Sequence, residues 1–204
     1  MKPSKYYLIG VLAAIFLCQC TAKSDSEESE ETETSTQTGN MEFNGFESQI
    51  KWGEHLVLIG GCNDCHTPKK MGPHGPELDS ALWLSGHPAT MPSFEIDRKE
   101  MQSKGLIVTQ DLTEWVGPWG VSFAANLTPD PSGLGNWSEN QFIYAIRNGK
   151  YKGLPDSRPI LPPMPWEMFQ FMTDGELKAI FAYLQSIKPI DNIVPPPIPP
   201  VGAQ

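Results

Sequence analysis

Residues 62–66 read Cys-Asn-Asp-Cys-His: two thiols three positions apart, followed at once by an imidazole. That spacing has a mechanism. Thiols one helical turn apart reach the two vinyl groups on one edge of a porphyrin, and the next residue projects its ring nitrogen at the iron. This is the Cys-x-x-Cys-His signature of c-type haem attachment, with Cys62 and Cys65 as the covalent links and His66 as an iron ligand. Three other chemistries use paired cysteines. A structural zinc site wants a second ligand pair, and the sequence offers no other Cys-x-x-Cys or His-x-x-x-His. A thioredoxin-like redox pair wants a parallel βαβ setting, which the pattern here lacks. A plain disulfide between Cys62 and Cys65 would leave His66 a coincidence.

Haem iron has a second axial position. The candidate is Met164, in Ile160-Leu-Pro-Pro-Met164-Pro-Trp166, where prolines on both sides stiffen the loop that presents a weak, soft thioether. His/Met ligation raises the reduction potential relative to bis-His. Most methionines are core filler. Met91, in Ala-Thr-Met-Pro, is the main rival for the ligand role, with His87 and His74 behind it.

The elements that must position these groups are partly legible. Phe46, Ile50, Gly53, Val57 and Gly60 recur at helical spacing and predict a helix ending at Gly60-Gly61, immediately before the motif. Ser138-Glu-Asn-Gln141 opens a second helix through Arg147, closed by Gly149. Thr173-Asp-Gly-Glu176 opens a third, whose apolar stripe is Leu177, Ile180, Phe181, Leu184 and Ile187, and Pro189 stops it. Residues 67–125 are rich in Pro and Gly, and predict loops, short helical turns and a hairpin. The tail, KPIDNIVPPPIPPVGAQ, reads as a polyproline-type segment lying along the domain or free.

These phrases carry a resemblance. The chain resembles the class I cytochrome c family, and in particular the monohaem domains of dehydrogenase-associated cytochrome subunits. The resemblance rests on the CNDCH motif and its preceding helix, on Asn126-Leu-Thr-Pro-Asp130, Gly133-Leu-Gly-Asn-Trp137-Ser-Glu and Phe142…Ala145-Ile-Arg147-Asn-Gly149. It continues in Pro162-Pro-Met164-Pro-Trp166 and Ala182-Tyr183-Leu184-Gln-Ser-Ile-Lys-Pro189, and covers most of residues 45–195. It implies an all-α cytochrome c fold around one covalent haem c, with first and last helices packed together. It also implies that the carbonyl of Pro68 accepts a hydrogen bond from the His66 ring, orienting the ligand. The stretch between His66 and Asn126 is enlarged and loop-rich relative to that family. Its Gly117-Pro-Trp119-Gly120 either walls the haem or forms a docking face, although Trp83, Trp115 and Trp119 are each more often core. Arg147 and Arg158 match the carboxylate geometry of haem propionates and equally suit surface salt bridges.

The 204 residues carry a net charge of −9, which argues against nucleic-acid binding. Lys2 and Lys5 precede an apolar run from Tyr7 to Leu17, too short for a comfortable membrane span and shaped like an export signal. Leu17-Cys-Gln-Cys20 resembles a relaxed bacterial lipoprotein site, with the lipid on Cys20. Residues 21–40 set six acids against Lys23 with almost no apolar side chain, and read as a solvated tether. The expected organisation is a lipoprotein signal at 1–19, an acidic tether at 20–40, a cytochrome domain at 41–190 and a proline-rich tail at 191–204. The expected role is electron transfer in the bacterial cell envelope, on the periplasmic or outer surface, between a dehydrogenase donor and an oxidase or another cytochrome. A haem-based sensor, or a small haem enzyme with a displaceable methionine, is the alternative. Peroxide chemistry of this class uses two haems and an open iron, against one Cys-x-x-Cys-His here.

Overall fold

The computed structural model describes residues 41–202. The apolar N-terminal run, Cys20 and the acidic tether lie outside the described residues.

Helix α1 (Gln49–Ile59) is capped by Ser48, whose hydroxyl accepts from the Lys51 amide at 3.2 Å. It packs along α6 (Asp174–Ser186), which opens with a complete capping box: the Thr173 hydroxyl accepts from the Glu176 amide while the Glu176 carboxylate accepts from the Thr173 amide. Val57 and Leu56 of α1 meet Leu177, Ile180, Phe181 and Leu184 of α6 in the main core, joined by Phe142 and Ile146 of α4 (Glu139–Asn148). Trp83 lies against this core and donates its indole N–H to the Tyr183 hydroxyl at 3.1 Å, tying the enlarged segment to α6.

The helix pair crosses at Gly53. A Cβ there would overlap the Ala179 carbonyl oxygen and come within 2.9 Å of the Tyr183 Cβ. Gly53→Ala gains about 1 kcal/mol of helix propensity, but the obstacle is rigid backbone, so the helices must separate and lose packing along their length. Overpacking of this kind costs roughly 1–3 kcal/mol and here falls at its upper end or beyond. The expected net result is a melting midpoint lower by about 5 °C, at roughly 2–4 °C per kcal/mol for a chain this size, read by circular dichroism. An unchanged or raised midpoint would show that the crossing is looser than drawn.

The all-α expectation is corrected. Two antiparallel hairpins form within the enlarged segment: β1 (Lys69–Gly72) with β2 (Gly75–Leu78), and β3 (Glu114–Gly117) with β4 (Gly120–Phe123). Their registers run from Lys69↔Leu78 to Gly72↔Gly75 and from Glu114↔Phe123 to Gly117↔Gly120. The physical reason is a local signal that occurs twice: Gly72-Pro-His-Gly75 and Gly117-Pro-Trp-Gly120 are both Gly-Pro-x-Gly. Proline presets the backbone angle of a tight turn, and each closing glycine takes a positive φ, 121° at Gly75 and 99° at Gly120. Beyond the hairpins the segment adds the short helix α3 (Arg98–Ser103), capped by Asp97.

The proline-rich tail lies along β4, where Val121 and Ile198 exchange backbone hydrogen bonds of 2.8 and 3.0 Å. Gly120 permits this contact, because a Cβ there would overlap the Ile198 carbonyl oxygen.

Candidate haem-attachment site

Helix α2 (Cys62–His66) is one turn long and begins at Gly61, a left-handed position with φ 67°. The turn places Cys62 and Cys65 on one face, one helical turn apart, and His66 at its end. Both cysteines are free thiols of intermediate exposure, and Cys62 packs against the main core. Burial pushes the Cys62 thiol up to about 11, and burial likewise raises Cys65. A disulfide-exchange nucleophile needs the opposite, a thiol lowered toward neutrality. The environment therefore disfavours a thioredoxin-like pair and keeps both groups as thiols, Cys62 against the apolar core.

His66 is buried, and burial lowers its pKa, holding the ring neutral at pH 7. Its Nδ1–H donates to the Ala125 carbonyl at 2.7 Å. That bond fixes the tautomer and leaves the lone pair on Nε2, which has no hydrogen-bond partner among the described residues. The Pro68 expectation is corrected here: the Pro68 carbonyl accepts from the Asp79 amide at 2.8 Å, on the far side of the β1–β2 hairpin. The enlarged segment is the cause. It returns residues 124–127 alongside residues 84–87, through His87 N–H to Ala124 at 2.9 Å and Leu127 N–H to Leu84 at 2.9 Å, while the Gly86 amide donates to the His66 carbonyl at 2.8 Å. Gly86 is required for this approach: it has φ 78°, and a Cβ would lie 2.5 Å from both the Ala124 oxygen and the Ala125 carbonyl carbon.

Met164 is partly buried and packs on the same apolar cluster as Cys62. Its loop is pinned from two sides. Downstream, Trp166 opens α5 (Trp166–Phe169) and lies over Gly149, where a Cβ would fall within 2.6 Å of the indole. From the other side, Ser122 of β4 donates to the Pro162 carbonyl at 2.6 Å and accepts from the Trp119 indole N–H at 3.1 Å. Trp119 thus sits at the β3–β4 turn and touches the methionine loop's anchor. Arg147 donates to the Gln170 carbonyl and pairs with Asp174 at 2.7 Å, bracing α4 against the start of α6. Arg158 lies over the Tyr151 ring at 3.9 Å and donates to the Pro159 carbonyl. Of the rival ligands, Met91 is 37% exposed, and His74 sits exposed at the β1–β2 turn. His87 is buried with Nδ1 engaged by the Thr113 hydroxyl at 2.8 Å. Ala125, Ser122 and Gly86 were missed by sequence reasoning, since each acts through contacts distant in the chain.

The donor set fits covalent haem. Two thiols lie one turn apart, the neighbouring neutral imidazole has one nitrogen anchored and the other unpaired, and Cys62 and Met164 pack on one apolar cluster. Among the described residues no group of three or more His, Cys, Asp or Glu side chains gathers into an all-protein metal site.

No family model matches the chain. Among curated relatives, it is 27% identical over 146 residues to the cytochrome c subunit of the quinone alcohol dehydrogenase of Gluconobacter oxydans, covering 71% of this chain and 23% of that one. It is 33% identical over 76 residues to the fructose dehydrogenase cytochrome subunit of Gluconobacter japonicus, covering 36% of this chain and 15% of that protein. With the gluconate 2-dehydrogenase cytochrome c subunit of Pantoea cypripedii it shares 24% identity over 159 residues, 74% of this chain and 27% of that protein. The chain therefore spans about a quarter or less of the length of these relatives. By sequence, this chain is similar to cytochrome c subunits of dehydrogenases and resembles a c-type cytochrome segment of such proteins.

Proposed function

We propose that the chain is a lipid-anchored, monohaem c-type cytochrome that passes single electrons between redox partners of a bacterial cell envelope. The observation that carries the reading is His66: a buried neutral imidazole, anchored at Nδ1 by Ala125 and unpaired at Nε2, directly follows two protonated thiols one turn apart. Cys62 and Cys65 would hold the haem through thioethers, with His66 and Met164 as axial ligands. Bound there, haem c supplies a one-electron iron couple. The chain's own part is to orient the imidazole, to keep water from the iron through the apolar cluster, and to close the second axial position with a thioether. A closed iron suits a carrier rather than a catalyst. Arg147 and Arg158 are the propionate candidates, Arg158 the freer of the two because Arg147 already pairs with Asp174.

The relatives' names point to a dehydrogenase as donor, and an oxidase or second cytochrome would accept. The deciding experiment combines haem stoichiometry, a mediated redox titration and carbon monoxide binding on the purified protein. One haem per chain, a one-electron transition and poor carbon monoxide binding at neutral pH are expected. Two haems per chain, or ready carbon monoxide binding, would overturn the reading.

Membrane attachment rests on the sequence around Cys20, since no helix among the described residues is long and apolar enough to cross a bilayer. Wild-type protein is expected in the detergent phase with an acylated N-terminal Cys20, and Cys20→Ala in the aqueous phase. Mass spectrometry finding an unacylated N-terminus elsewhere would refute the lipid anchor.

A further inference from the structure

We propose that Ser122 is a positioning residue for Met164, and that β4 with the residues leaving it holds both ligand-bearing segments; this rests on the His66/Met164 reading above. The methionine loop is short of backbone donors, because Pro162, Pro163 and Pro165 have no amide hydrogen. Upstream, the last backbone anchor is the Ile160 amide donating to the Gly149 carbonyl at 2.7 Å. Downstream, the Met164 and Pro165 carbonyls accept only from residues 166–169, within the adjoining turn. Among the described residues, the one long-range hydrogen bond on residues 161–165 is Ser122 to the Pro162 carbonyl.

That bond has a fixed direction. The Trp119 indole nitrogen can only donate, so it occupies a lone pair of the Ser122 oxygen and leaves the hydroxyl proton for Pro162. The Trp119 ring packs directly over Gly117, where a Cβ would be 2.5 Å from it. Ser122 itself is 7% exposed, so water does not easily replace the bond. Its neighbour Val121 is clamped to the tail through Ile198. Three residues on, a span of roughly 10 Å of extended chain, the Ala125 carbonyl holds His66. One stretch of backbone thus touches the carrier of the thioether at one end and the imidazole at the other.

The test uses the full-length holoprotein and imidazole as a competing ligand for ferric iron. Imidazole binds only when the thioether leaves, so its apparent affinity reports how firmly the loop holds Met164. Ser122→Ala removes a buried hydrogen bond, which is worth a roughly five- to tenfold rise in imidazole affinity, with a weaker near-infrared sulfur–iron band. Ser122→Cys, nearly isosteric but a weaker donor, gives a smaller rise in the same direction and serves if the alanine variant does not accumulate. Imidazole affinity within twofold of wild type in both variants, or in the cysteine variant alone if the alanine variant is not obtained, overturns the proposal, even if the melting midpoint falls. A wild-type protein lacking the sulfur–iron band overturns the ligand assignment as well. A wild-type band that persists unchanged in both variants sinks only the role of Ser122.

Discussion

Replacing Cys62 and Cys65 together with serine is expected to leave a polypeptide from which acid–acetone strips all haem, whereas the wild-type chain keeps its haem on the denatured protein band. The expectation follows from bond type. A thiol adding across a vinyl group forms a carbon–sulfur bond with no oxidant consumed, since the S–H hydrogen goes to the neighbouring carbon. Such a bond survives denaturation; axial coordination does not. The burial that pushes Cys62 up to about 11 and also raises Cys65 keeps both as thiols, the form that this addition starts from. Each single serine variant leaves one link, so it is expected to retain non-extractable haem with a red-shifted α-band from the remaining vinyl group. Loss of both links also removes the tether that keeps His66 beside the iron, so the yield of holoprotein is expected to fall by an order of magnitude or more. Non-extractable haem in the double variant would refute attachment through this motif, and a wild-type protein without covalent haem would refute the cofactor.

The parts of this architecture that were legible in the sequence are those written in local chemistry. Ser138 and Thr173 cap their helices through side chains three residues from the amides they bind, and Gly149 ends α4 at φ 58° as its position foretells. The CNDCH turn is local too: five residues contain both thiols and the imidazole. The hairpins were within reach, since Gly-Pro-x-Gly occurs twice, but their flanks alternate weakly. Lys69–Gly72 and Gly75–Leu78 each mix exposed and half-buried residues with no alternation, and Glu114 is buried in spite of its charge. Period-two reasoning has little to grip there. The acceptor for His66 was not legible at all. Ala125 lies 59 residues away in sequence, and it contributes a carbonyl oxygen, which every residue type has. Family resemblance pointed to Pro68 because the usual arrangement is local. The enlarged segment replaces that arrangement with a returning stretch of chain, residues 124–127, whose close approach only glycine at position 86 allows. Side-chain identity cannot mark such a contact, but the requirement for Gly86 can.

Met164→Ala is expected to erase the near-infrared sulfur–iron band, to open ferrous iron to carbon monoxide, and to lower the midpoint potential. A thioether is a soft, weakly donating ligand that favours ferrous over ferric iron, so its loss shifts the couple downward, on the order of 100 mV. The rival ligands make this a real test. Met91 is 37% exposed and is not among the residues of the main core, so Met91→Ala is expected to leave band and potential unchanged. His87 is the stronger rival, since like His66 it is buried with Nδ1 engaged, here by Thr113, and Nε2 without a partner among the described residues; but its ring packs on Phe123 at 4.8 Å and Asn192 donates to its backbone carbonyl at 2.9 Å. Moving His87 to an iron would dismantle that network, whereas Met164 already lies on the apolar cluster with Cys62. Truncating Met164 also removes a partly buried side chain, and Leu- or Met-to-Ala changes in cores cost about 2–5 kcal/mol; at a partly exposed position the cost falls toward the low end. The spectroscopic change must therefore be read on protein shown to be folded by circular dichroism, where the capped helices α1, α4 and α6 give the signal. A band lost in Met91→Ala and kept in Met164→Ala would mean that the enlarged segment wraps the iron. A wild-type protein with no sulfur–iron band, and a spectrum unchanged in both variants, would give the second axial position to a histidine and move the expected potential downward for the native protein itself.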